Sequence, residues 1–404
     1  MARTGAVCRR GPYTPDPTGA ARAGRAGRVV GISTPSAWLH RLIDEWLLAL
    51  FATLALVLAL LDPEPLASYR RWLQLPTLAG LLGLMIAIQG IRDSGLVQHA
   101  AARLLARAHT LRGLGLLLVA VTALLSMVLT NDVSLFLLVP LTLVIGDLSN
   151  LPTGRMVVLE ALAVNTGSAL SPIGNPQNLL LWQHAHVPFL HFVTAMLPAV
   201  AVMSVLLVAL TLAWLPRVGI ELAAERLDGR IASRRLGTAS ILALAGMVLA
   251  MEYGHPALGA TVLLVLFMLF ARSSLRRLDW LLLATFAAIF LALGHFTELP
   301  WVSHLLDRLD LDHPLTLYLS GMIASQLISN VPATVLLLDR AHDTLLLAVA
   351  VNVGGFGVAI GSLANLIALR LANRARDWRM LHRVSLPFLL ASAPLVYLAV
   401  RWLG

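Results

Sequence analysis

Long apolar stretches, separated by short loops that carry arginine, run from Trp46 to the end of this chain. No water-soluble fold suits that pattern. A soluble domain carries about 25% charged residues. Here 13% of the 404 residues are charged and 58% are apolar, too few polar groups for a hydrated surface. The pattern is that of many membrane helices. Nine stretches read as full spans: 46–61, 76–91, 156–182, 190–215, 238–252, 257–271, 279–295, 344–371 and 384–403. Several fall short of the ~20 residues that a bilayer requires, so their ends are expected to extend into the flanks. Two further apolar stretches, 114–146 and 314–339, are interrupted at their middles by polar residues and read as hairpins that return to their own side.

Arginine sets the orientation. All 30 basic residues are arginine, and they lie in the tail and the short loops, which excludes nucleic acid as the meaning of the +9 charge. With the amino terminus cytoplasmic and both hairpins re-entrant, segments 1–45, 92–113, 147–155, 216–237, 272–278 and 372–383 face the cytoplasm and hold 24 arginines. The outer segments hold five: Arg70, Arg71, Arg308, Arg340 and Arg401. Such a positive-inside bias places the carboxyl terminus outside, in the inner (plasma) membrane. Residues 1–40 lack apolar periodicity and read as a disordered basic cytoplasmic tail with no cleavable signal. Cys8 in that tail allows no internal disulfide. His184, His186 and His191 read as a wet loop, with metal binding as the alternative.

The two interrupted stretches belong to a repeat. Thr130-Asn131-Asp132 marks the first break and Ser329-Asn330-Val331 the second. Downstream, Asn165, Gly167, Ile173, Gly174 and Asn178 match Asn352, Gly354, Ile360, Gly361 and Asn365, with 13 positions between the outer asparagines in each. One hairpin enters from the cytoplasm and the other from outside, so the halves are inverted. The expected fold is an all-α membrane protein of two inverted repeats, with two re-entrant hairpins, two broken helices and about nine full spans. Its parts are a first repeat over 41–215, a cytoplasmic linker over 216–237 and a second repeat over 238–404.

A helix broken inside a bilayer leaves backbone groups without partners, tolerable only where protein or water satisfies them. Thr130, Asn131, Ser329 and Asn330 supply polar side chains at the tips. Asn175, Gln177 and Asn178 do so at the first broken span, where Gly174 and Pro176 end the helix. Gly354, Gly355, Gly357 and Gly361 break the second, beside Ser362. A half-helix that starts at a break points N–H groups at the site, which suits an anion, while one that ends there presents carbonyls, which suit a small cation. Taken singly, Asn131 and Asn330 also read as turn caps, and Gly355 as close helix packing. Duplication of the set favours a substrate and ion site formed by Thr130, Asn131, Asp132, Asn165, Gly174, Asn175, Asn178, Ser329, Asn330, Thr334, Asn352, Gly361, Ser362 and Asn365. Intramembrane acids usually mark ion pathways or proton relays. Asp132, whose counterpart in the second half is Val331, is the first proton-coupling candidate. Glu160 is the second, with a structural role as its alternative.

At these motifs the chain resembles the ion transporter superfamily of arsenite exporters, citrate–metal symporters, Na⁺/H⁺ antiporters and divalent-anion symporters, and within it the YbiR-type anion transporters. The resembling segments are Thr130–Thr142, Glu160–Trp182, Ser325–Leu338 and Ala350–Ala372, and the likeness covers about residues 40–404. It implies that both tips and the residues around Gly174 and Gly361 line substrate and ion sites, and that a dimeric scaffold supports elevator-like movement. The third tip position departs from the Ser-Asn-Thr of the divalent-anion branch in both halves. The expected activity is secondary active transport of a small anion coupled to H⁺ or Na⁺, in a homodimer that needs the lipid bilayer but no cofactor, metal or nucleic acid. The alternative is a cation/proton antiporter or arsenite-type exporter that uses Asp132. No catalytic motif points to an enzyme, and a Gly-x-x-x-x-Gly-Lys phosphate loop is impossible without lysine.

Overall fold

The computed structural model describes residues 46–149, 151–220, 231–372 and 375–403. The amino-terminal tail and residues 221–230 of the linker lie outside them. Among the described residues the chain is helical, without strands. In order, the helices are α1 (Trp46–Leu61), α2 (Leu66–Trp72), α3 (Leu75–Ser94), α4 (Leu96–Leu105), α5 (Leu111–Leu129), α6 (Asn131–Ser149), α7 (Thr153–Ser168), α8 (Pro176–Ala185) and α9 (Phe189–Trp214). They continue as α10 (Arg234–Glu252), α11 (Pro256–Phe270), α12 (Arg272–Arg276), α13 (Trp280–Glu298), α14 (Pro300–Asp307), α15 (Pro314–Ile328), α16 (Asn330–Leu338) and α17 (Thr344–Val353). After a 3₁₀ turn at Ala359–Gly361 come α18 (Leu363–Ala372) and α19 (Ala375–Leu403).

The expected spans take three forms. Six helices are long and apolar enough to cross a membrane: α3, α9, α10, α13 and most of α19 among the expected spans, and also α5, which lies in a stretch expected to be a hairpin. Helices α1 and α11, with 16 and 15 residues, fall short of that length. The stretches 156–182 and 344–371 are each split, into α7 and α8 and into α17 and α18, by the breaks that glycine and proline impose. The first interrupted stretch is larger than its sequence pattern indicates. Helices α5 and α6 have 19 residues each, about 28 Å of helix, and α5, capped by Thr110, begins three residues ahead of the apolar run. The second pair, α15 and α16, is shorter, at 15 and 9 residues.

Four short helices, α2, α4, α12 and α14, fill segments read from sequence as loops. Their presence reveals a recurring order. A long helix, a short helix, an interrupted pair, a split helix and a long helix run over α3–α9, and the same sequence of elements runs over α13–α19.

Small residues set the closest contacts. A methyl group at Gly83 would lie 2.3 Å from the Met247 sulfur, so α3 and α10 meet there. One at Gly167 would lie 2.1 Å from the Ala123 carbonyl oxygen, which brings the backbones of α5 and α7 together. Helix α7 is the centre of the fold: every residue from Met156 to Ser168 is buried.

The connecting segments fall into two groups. Arg277 pairs with Asp93 at 3.0 Å, the Leu111 N–H donates to the Val218 carbonyl, and Arg155 donates to the Trp214 carbonyl. In the other group Arg71 pairs with Glu298, Arg340 with Asp307, and the Phe189 N–H with Glu252. The first group joins segments that arginine counting places inside, and the second joins those it places outside.

Candidate functional site

Both interrupted pairs turn through the same unusual backbone. Thr130 has φ 70° and ψ 156°, and Ser329 has φ 76° and ψ 158°. This region is nearly exclusive to glycine and costs of order 1–3 kcal/mol for other residues, a strain found mostly at functional positions. Non-glycine residues hold it in both, one residue ahead of a buried asparagine.

The tips abut the breaks. The Asn131 N–H donates to the Gly174 carbonyl at 2.9 Å, so the first tip rests on the first break. The Asn131 side-chain oxygen turns back to accept from the Asp132 N–H at 2.9 Å. At the second tip the Asn330 amide nitrogen lies 3.1 Å from where a Gly355 side chain would begin, and the Asn330 oxygen has no partner among the described residues. Ser329 Oγ is likewise buried and unpartnered. Thr334 donates its hydroxyl to the Asn330 carbonyl at 2.8 Å and closes the first turn of α16.

Between the tips the two breaks are stitched together. Asn165 Nδ2 donates to Asn365 Oδ1 at 2.9 Å, and Asn165 Oδ1 accepts from Ser362 Oγ at 2.9 Å. Asn352 Nδ2 donates to Asn178 Oδ1 at 2.6 Å, and Asn352 Oδ1 accepts from Asn175 Nδ2 at 2.9 Å. With the matched positions exchanged, one set becomes the other. Each half-helix beyond a break is also capped from within the break: Asn178 N–H donates to Asn175 Oδ1 at 2.9 Å and Ala364 N–H to Ser362 Oγ at 3.3 Å. Gly174 and Gly361 leave no room for a side chain, the first against the Ser168 carbonyl and the second against Gln326 and the Gly354 carbonyl.

Sequence reasoning missed three residues. Gln326 donates to the Gly354 and Phe356 carbonyls and accepts from the Val358 N–H at 3.0 Å, so one side chain serves three backbone groups of the second break. Ser385 Oγ accepts from the Gly357 N–H at 2.7 Å, and His382 Nε2 accepts from the Ala359 N–H at 3.2 Å. A glutamine in the apolar run four residues before the tip was the available signal. His382 and Ser385 gave none, because only the fold brings α19 to the second break.

The acids are placed differently from one another. Asp132 is buried in the first turn of α6, and its Oδ1 has no partner among the described residues. Glu160 is fully buried in α7, where Oε1 accepts from the Thr142 hydroxyl at 2.7 Å while Oε2 has no such partner. It lies inside the packed core. His184, His186 and His191 are exposed. Among the described residues no three His, Cys, Asp or Glu side chains are grouped to hold a metal ion.

Residues 36–346 match the citrate transporter family, a region that spans both tips and the first break. The chain belongs to the citrate transporter family. It is 38% identical over 325 residues to the inner membrane protein YbiR of Escherichia coli strain K12, which covers 80% of this chain and 86% of that one. It is 30% identical over 337 residues to the uncharacterized transporter MJ0456 of Methanocaldococcus jannaschii, covering 82% and 90%. A shorter likeness, 32% over 127 residues, joins 31% of the chain to 26% of the silicon efflux transporter LSI3 of Oryza sativa subsp. japonica. The chain is thus a multi-pass membrane transporter of the citrate and anion type, as its span pattern and motifs predicted.

Proposed function

We propose that the protein is a secondary active transporter that moves a small anion across the inner membrane, coupled to H⁺ or Na⁺. The observation that carries this reading is the exchange of asparagine hydrogen bonds between the two breaks. Polar side chains at membrane depth that pair symmetrically across two broken helices form the kind of centre at which secondary transporters bind. The recurring element order and the matched left-handed tips support two inverted repeats with re-entrant pairs. The separation of inner and outer contacts, together with the arginine bias, supports a cytoplasmic amino terminus and an outer carboxyl terminus. Elevator-like movement of a homodimer is carried over by analogy with the resembling superfamily.

Of the atoms the network leaves free, the Ser329 hydroxyl can donate to an anion, while the Asn330 side-chain oxygen and Asp132 suit the coupling cation. The unpartnered Asp132 oxygen also favours a second reading, a cation/proton antiporter or arsenite-type exporter. Ligand binding to the folded state raises apparent stability. Thermal unfolding of the purified protein against citrate, other small anions and arsenite, with Na⁺ and pH varied, tests the choice. Stabilisation by an anion supports the first reading. Stabilisation by Na⁺ or pH alone supports the second.

A further inference from the structure

A groove of about 420 Å³ runs between α9 and α19. Leu206, Leu210, Trp214, Pro387 and Phe388 line it, and Arg383 stands in its wall. Both helices are long and apolar enough to cross the membrane, and little of either is buried by the protein itself, so the groove opens on lipid. Pro387 lies inside α19 and has no N–H to give the Arg383 carbonyl four residues back, which loosens the helix where the groove forms.

The cationic side is as distinctive as the apolar one. Arg383 is exposed and has no hydrogen-bond or ion-pair partner among the described residues. Arg379 is exposed one turn earlier on the same face. Arg155 lies against Trp214, donating to its carbonyl at 3.2 Å with the guanidinium carbon 5.7 Å from the ring centre. Arginines beside a tryptophan at one end of an apolar channel match a lipid whose headgroup is anionic and whose chain is apolar.

We propose that this groove is a binding site for one anionic phospholipid, with an acyl chain along Leu206, Leu210 and Phe388 and the phosphate on Arg383. Under the orientation proposed above, the lipid belongs to the cytoplasmic leaflet. It also braces α19, the helix whose His382 and Ser385 hold the Ala359 and Gly357 N–H groups of the second break.

Native mass spectrometry of the full chain, released from micelles, tests this with phosphatidylglycerol, phosphatidylcholine of the same chains, and inorganic phosphate. The expected result is retention of phosphatidylglycerol over phosphatidylcholine, with no retention of phosphate alone. Arg383→Gln lowers phosphatidylglycerol retention about fivefold, the effect of one arginine near an anionic surface. Leu210→Trp, which fills the groove and leaves the charges intact, lowers retention of both lipids. Each variant is first shown monodisperse with wild-type thermal stability in lipid-free detergent. Equal retention of the two lipids, unchanged retention by Arg383→Gln, or phosphate binding without lipid would overturn the proposal.

Discussion

Replacing Asn352 with alanine removes both bonds that this residue makes to the first break. Its amide donates to Asn178 Oδ1 at 2.6 Å and its oxygen accepts from Asn175 at 2.9 Å. Asn175 keeps the Ser168 carbonyl and hydroxyl as acceptors, so it loses little. Asn178 Oδ1 is left buried and without a donor. Interhelical hydrogen bonds in membranes average about 0.6 kcal/mol. A stranded buried acceptor adds roughly 1–3 kcal/mol. The expected loss is therefore about 2–4 kcal/mol. Asn165→Ala strands Asn365 Oδ1 and frees the Ser362 hydroxyl in the same way, so its loss should fall within about 1 kcal/mol of the first, given equivalent partners. Reversible unfolding by SDS titration in mixed micelles measures both. Losses under about 0.5 kcal/mol for both variants, or a large loss for one alone, would refute the paired network.

Asn131→Ala and Asn330→Ala should each abolish uptake while membrane insertion is kept, and near-normal uptake by both at equal expression would reduce them to turn caps. Ser329→Gly relieves the left-handed backbone by about 1 kcal/mol, so stability should hold or rise while transport falls. Unchanged transport would remove Ser329 Oγ from the substrate site. Outside the membrane, the Arg340 hydrogen bond holds the Asp307 carboxyl below its ordinary 3.8. Its folded-state value is depressed, so its contribution to stability is present above the unfolded value and lost as pH falls through the folded one. Arg340→Gln should flatten that acid limb in a pH series of unfolding midpoints, and an unchanged limb would deny the linkage.

The parts legible in sequence were those with local causes. Asn175 before Pro176 is a helix start, and the structure makes it one, with Asn175 as cap. The tips at Thr130 and Ser329 were visible because polar residues interrupt apolar runs. The spacing of 13 between Asn165 and Asn178, and between Asn352 and Asn365, marked those residues as one matched set. What spacing could not reveal was the pairing itself, which joins residues 174 to 200 positions apart. The short helices α2, α4, α12 and α14 escaped notice because five to ten residues of mixed polarity resemble a loop. The role of α19 was hidden for a related reason. Its N-terminal part reads as a charged loop, yet it carries His382 to the second break.

Gradient-driven uptake in proteoliposomes tests the central claim most directly, with citrate and the anion that stabilises the protein as substrates. The account predicts that the wild-type protein accumulates its anion above equilibrium when an inward H⁺ or Na⁺ gradient is imposed, and that Asp132→Asn still exchanges substrate by counterflow but no longer accumulates it. Equilibration without accumulation under every gradient would contradict secondary active transport, and full pH-driven accumulation by Asp132→Asn would eliminate Asp132 as the coupling residue.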